Sequence, residues 1–181
     1  MAVATPSSVP TAPLAKSAVV VALRTLGHGF LTHPDNSELR EQLAAGELSV
    51  SDVNHALLRV VYRLLFMFYI EARPELGYVP IHKSEVYLKG YSLESLRDLE
   101  LKKLNTPAAH DGVYFDKTLR RLFKLVAQGC GLSSQQDIHS LAGAKDTFAL
   151  APLDSRLFDD ASMPLLGKVQ FPNAVWQRVI K

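Results

Sequence analysis

Apolar residues recur along most of this chain at steps of three and four, the spacing of helices that bury one face. The first such stretch runs from Ser17 to about Thr32, with Val20, Leu23, Leu26, Phe30 and Leu31 in register, and Pro34 stops it. A short helix is predicted over Ser37–Ala45, ended by Gly46. The strongest pattern covers 52–73. Ser49 and Asp52 form a capping-box start, Val53, Leu57, Val60, Val61, Leu64, Leu65 and Phe68 make the stripe, and Pro74 ends it. Phe66, Met67, Tyr69 and Ile70 fill its remaining faces, so this helix is expected at the centre of the domain, with Leu64 and Phe68 in the core.

The polar exceptions Asp52, His55, Arg59 and Arg63 fall on one narrow line of that helix. Residues 74–92 read as irregular, punctuated by Gly77, Pro80 and Gly90. Ser92 then caps a predicted helix over Leu93–Leu104, with Pro107 as its stop. A second strong helix is predicted from Gly112 to Gln128, with Phe115, Leu119, Leu122, Phe123 and Val126 inward and Gly129 as C-terminal stop. Residues 130–171 read as mostly loop, and a last helix starts near Pro172–Asn173. The expected class is mainly α: an irregular helical domain over 17–181, with a loop-rich final third, at most short strands, and a flexible Pro-rich arm over 1–16.

Composition adds bounds. With 48% hydrophobic and 21% charged residues the bulk should fold, and a net charge of +2 neither demands DNA nor excludes it. The single cysteine, Cys130, permits no internal disulfide; it fits a reducing cytosol and a role as apolar filler near a helix end. No apolar run reaches the roughly 18 residues of a membrane span, and the first residues lack a signal-peptide pattern, so a cytoplasmic protein without membrane contact is expected.

Candidate chemistry is sparse. The chain has no glycine-rich phosphate loop, no His-Glu-x-x-His, no Cys-x-x-Cys and no Gly-x-Ser-x-Gly elbow. Its six histidines, at 28, 33, 55, 82, 110 and 139, are scattered, so no metal site is expected. Glu71, at the end of the central helix, has the setting of a general base, but pairing with Arg63 or Arg73 or facing a partner segment is the simpler reading. Arg59 and Arg63 invite internal ion pairs or, less simply, phosphate contact. Lys117, Arg120, Arg121 and Lys124 follow i, i+3, i+4, i+7 and form a cationic stripe, either a DNA-backbone contact or the solvated side of an amphipathic helix.

Several segments resemble the region ahead of the methyltransferase domain in single-chain, type IIG-like restriction–modification adenine methyltransferases. The longest is Leu57-Leu-Arg-Val-Val-Tyr-Arg-Leu-Leu-Phe-Met-Phe-Tyr-Ile-Glu-Ala-Arg73, similar to a signature helix of that family. In the same order follow Tyr91-Ser-Leu-Glu-Ser-Leu-Arg97, Leu119-Arg-Arg-Leu-Phe-Lys-Leu-Val-Ala-Gln-Gly129 and Pro172-Asn-Ala-Val-Trp-Gln-Arg-Val-Ile180. Between the last two, Leu153-Asp-Ser-Arg-Leu-Phe-Asp159 resembles a Gly-Gly-Leu-Phe-Asp loop, with Asp154 to Arg156 departing from the glycines.

The resemblance implies a non-catalytic helical connector, a piece of a longer protein, whose partners are the rest of its own polypeptide and, through the parent, double-stranded DNA. The cofactor S-adenosylmethionine, and magnesium for any nuclease part, would belong to the parent, since neither a cofactor loop nor an Asn/Asp-Pro-Pro-Tyr/Phe motif occurs here. The alternative reading is a stand-alone helical binding or adaptor module.

Overall fold

The computed structural model describes residues 12–130 and 148–181, with side chains from Lys16 onward. Nine α-helices run through them: α1 (Ala12–Thr32), α2 (Ser37–Ala44), α3 (Val50–Glu71), α4 (Glu85–Gly90), α5 (Leu93–Glu100), α6 (Pro107–Asp111), α7 (Tyr114–Gln128), α8 (Leu165–Lys168) and α9 (Asn173–Ile180). Short 3-10 turns cover Pro34–Asn36 and Pro74–Leu76, and among the described residues β structure is limited to one antiparallel bridge, Cys130 to Leu150. The mainly α expectation holds.

Local signals explain most boundaries. Ser49 accepts a hydrogen bond from the amide of Asp52 and starts α3; Ser92 accepts from Ser95 and starts α5. Gly129, with φ 70°, ends α7, and a side chain there would collide with the Leu150 carbonyl at 2.6 Å. Three boundaries differ from the sequence reading. Helix α1 already begins at Ala12, so residues 12–16 belong to it rather than to an arm; Pro13 sits in the first turn, where a proline removes no helical hydrogen bond. The rest of the expected arm, residues 1–11, lies outside the described residues, as does 131–147 of the expected loop. Helix α5 stops at Glu100, and Pro107 opens α6 behind the N-cap Thr106 instead of closing a helix. The stretch 74–92 is not wholly irregular, since Ser84 caps α4 within it.

One hydrophobic core joins these elements. Helix α9 packs against α1, α5, α6 and α7, and α1 also packs against α3. The α1–α9 approach is close: a Cβ on Gly29 would come within 2.8 Å of Val175 Cγ2. Two buried asparagines fix the chain's crossings. Asn36 donates to the carbonyls of Phe30 and Gln170 and accepts from the Gln170 amide; Asn173 accepts from the Phe115 amide and donates to the Ala109 carbonyl.

Helix α3 is long and apolar enough, by length and composition, to cross a membrane, and half of that window is buried in the fold. It is not enclosed on every side, as its sequence suggested. Leu64 is buried, Phe68 is only half-buried, and Tyr62, Leu65 and Tyr69 form an exposed line at steps of three and four. The expectation failed because neighbours cover α3 on the sides facing α1, α5 and α8, and that line stays about half exposed among the described residues.

Candidate nucleic-acid interface and the polar junction beneath it

The four cations of the α7 stripe do not share one environment. Lys117, Arg121 and Lys124 are exposed. Arg120 turns to the protein: its Nε donates to Asp116 Oδ2 at 2.7 Å, and its terminal nitrogens donate to the carbonyls of Leu166 and Val169. It therefore ties α7 to α8, and it drops out of the stripe as a free phosphate contact. Lys124 has acidic neighbours. It lines a cleft of about 530 Å³ together with Asp154, Asp159 and Asp160.

Beneath the stripe, polar side chains from α3, α7, α9 and the 154–171 segment meet. Arg63 is 4% exposed; its Nε donates to the Leu157 carbonyl at 2.7 Å and one terminal nitrogen reaches Asp160 at 2.9 Å. Its guanidinium carbon lies 5.5 Å and 5.6 Å from the ring centroids of Phe123 and Phe158. Burial pulls the Arg63 pKa down, and Asp160 pulls it back. One turn earlier on α3, Arg59 donates to the Ser162 hydroxyl and to the Asp159 carbonyl. Both arginines of α3 thus hold the segment that resembles the Leu-Phe-Asp loop, and Asp52 and His55, on the same line, are exposed. Asp116 is 3% exposed and accepts from Trp176 Nε1 at 3.3 Å as well as from Arg120. Burial raises its pKa, and the Arg120 charge opposes the rise.

Glu71 does not pair with an arginine. Both of its oxygens accept from the Leu93 amide at 3.0 Å, and Tyr87 donates its hydroxyl at 2.8 Å. Arg73, the expected partner, lies over the Tyr69 ring instead. A carboxylate at the first amide of α5 is favoured by the orphan N–H groups and positive end of a helix. Glu71 is accordingly a buried clamp between α3, α4 and α5.

Burial raises the Glu71 pKa, with the Leu93 and Tyr87 hydrogen bonds opposing. A raised folded-state pKa means the folded chain holds a proton the unfolded chain would release. Its contribution is fully present below the unfolded pKa and declines as pH rises through the folded one. Glu71→Gln keeps an acceptor for Tyr87 and Leu93 and removes the titration. Urea midpoints should therefore fall less steeply for Glu71→Gln than for wild type as pH rises above the ordinary glutamate range; equal slopes would show that Glu71 does not titrate there.

The remaining candidates are structural. His33 is buried; Nδ1 accepts from the Asp35 amide at 3.3 Å, and Nε2 lies 3.3 Å from the Asp111 carbonyl. Among the described residues no group of three His, Cys, Asp or Glu side chains is placed to hold a metal. Cys130 is half-buried, its Sγ 3.8 Å from the Phe148 carbonyl, with burial pushing its thiol pKa up.

A cavity of about 150 Å³ lies at the junction, lined by Arg63, Arg120, Lys124, Asp116, Asp160 and Trp176 among others. The sequence pattern did not single out this grouping. Its only advance sign was that Arg63, Asp116 and Arg120 stand beside strongly apolar positions. Compared with known proteins, the chain matches no family model, no curated protein and no solved structure.

Proposed function

We infer that this chain is a non-catalytic helical scaffold, the part of a restriction–modification adenine methyltransferase that precedes the catalytic domain. The observation that carries the reading is the way the resembling segments use their polar residues. Arg63 of the first holds Leu157 of the fourth, Glu71 caps α5 in the second, and Asp116, which anchors Arg120 of the third, accepts from Trp176 of the fifth. Residues that would have been candidates for chemistry are hydrogen-bonded within the fold, many of them to backbone groups of another segment, as a framework requires. S-adenosylmethionine would bind the parent's catalytic domain, not this chain. The coding sequence is expected to continue past Lys181 into an Asn/Asp-Pro-Pro-Tyr/Phe motif, and a stop codon there would overturn the assignment.

Contact with duplex DNA in this reading falls to Lys117 and Arg121, with Lys124 at the acidic edge of the stripe. They span seven helical steps, about 10 Å, enough to follow the phosphates of one strand. Such contacts position a protein and carry no base information. In the full-length protein, Lys117→Ala/Arg121→Ala should weaken binding about equally on all sequences. It should also flatten the log–log salt dependence by roughly two units. An unchanged slope would make the stripe a solvated face.

The stand-alone adaptor reading is favoured by one feature, an apolar cleft between α1, α3 and the end of α9 whose lining includes Val19, Val61, Leu65, Phe68 and Ile180. The coding sequence beyond Lys181 separates the two.

A further inference from the structure

The cleft between α1, α3 and the end of α9 has a volume of about 480 Å³. Ala18 and Ala22 line it from α1, Leu65 and Phe68 from α3, and Ile180 and Lys181 from the end of the chain. Its α3 side runs from Val61 to Phe68, seven helical steps or about 10 Å, the length of two helical turns. Leu65, 47% exposed, belongs both to the cleft and to the outward line with Tyr62 and Tyr69, so the recess opens onto a wider apolar surface. Contiguous apolar surface of this kind marks an interaction site. The lining contains no neutral polar side chain to orient a small ligand. Its two charged residues, Arg97 and Lys181, are both cations. Arg97 meets Glu94 at 3.4 Å in an exposed pair, which holds it weakly. A second copy of the chain would offer the same cationic lining, whereas an acidic partner would complement it.

We propose that this cleft seats the polypeptide that follows Lys181. The occupant is an amphipathic helix whose apolar face enters the groove and whose acidic flank meets Arg97 and Lys181. The inference rests on the connector reading, in which the chain continues into a catalytic domain. Lys181 itself lines the cleft, so the continuation starts at its edge. A helix–helix connection of roughly 2–8 residues is enough to turn it back into the groove. A two-turn contact would hold a free peptide weakly. Covalent attachment makes the same contact intramolecular, at an effective concentration of about millimolar for a short linker.

The coding sequence gives the first test. Within about 30 residues after Lys181 it should show apolar positions at i, i+3, i+4 and i+7 together with Asp or Glu on the flanks of that stripe. A reading frame that continues without such a helix would overturn this inference and leave the connector reading standing; a stop codon would overturn both. The second test is thiol labelling of the full-length protein. Val20 is 46% exposed on α1 and lies outside the cleft, so it matches Leu65 in exposure within this chain. If the groove is occupied, Leu65→Cys should react with a maleimide at least about tenfold more slowly than Val20→Cys. Equal rates at the two positions would mean that the cleft stands open and would overturn the assignment.

Discussion

Arg120→Ala should destabilise the folded chain by about 3 kcal/mol, while Arg121→Ala, one position on, should stay within about 0.5 kcal/mol. The two arginines are equivalent in the sequence pattern and opposite in the structure. Removing Arg120 leaves the Asp116 carboxylate, 3% exposed, without its charged partner and with uncharged N–H donors such as Trp176 Nε1, and strips a donor from each of the Leu166 and Val169 carbonyls. Truncating one member of a fully buried pair costs about 3–5 kcal/mol. The Arg120 side chain is 36% exposed, which places this case at the lower end. Arg121 is exposed and its removal breaks no internal bond among the described residues. Urea unfolding of both variants decides the matter, and equal stabilities would mean that the bonds to α8 contribute nothing. The comparison also governs the DNA experiment. A loss of binding in Arg120→Ala would report a loosened α7–α8 junction, so Lys117 and Arg121 are the positions to neutralise.

The second large effect lies in the core. Leu64 is 3% exposed on α3, and Leu64→Ala should cost about 2–5 kcal/mol, the transfer of the lost methyl groups plus the cavity left behind. Phe68, four residues on, is a larger side chain and half-buried, so Phe68→Ala should cost less than Leu64→Ala. The order of the two ΔΔG values is the test. If Phe68→Ala were the costlier change, the cleft between α1, α3 and α9 would have to be closed in solution.

Helix existence was legible because its signals are local. A capping serine and a stopping proline bound α3, and the apolar spacing of α7 leads to Gly129. The errors were of two kinds. Pro107 was ambiguous in principle, since proline ends one helix as readily as it opens the next; Thr106 before it was the cue for an opening. The partners of polar residues were illegible for a different reason. Glu71 meets Tyr87 and Leu93 across 16 and 22 positions, and Arg120 meets Leu166 and Val169 across 46 and 49. Periodicity assigns a residue to a face of its helix but says nothing of what that face meets. Lys117 and Arg121, on the outward half of the stripe, lie exposed, where a side chain needs no partner from the rest of the chain.

Helical proteins commonly assemble quickly from contacts between neighbours in sequence. This one is closed differently. The asparagine clamp joins Asn36 to Gln170 across 134 positions, and α9 supplies the surface on which α1, α5, α6 and α7 meet. Loop-closure entropy must be overcome before those contacts stabilise anything. During synthesis the earlier helices would emerge with Leu26, Phe30 and Leu119 uncovered and would wait for Val175, Trp176 and Ile180. The chain's kinetics should resemble those of a protein with distant strand pairing more than those of a helical bundle, and its vulnerable interval on the ribosome is the one before α9 emerges.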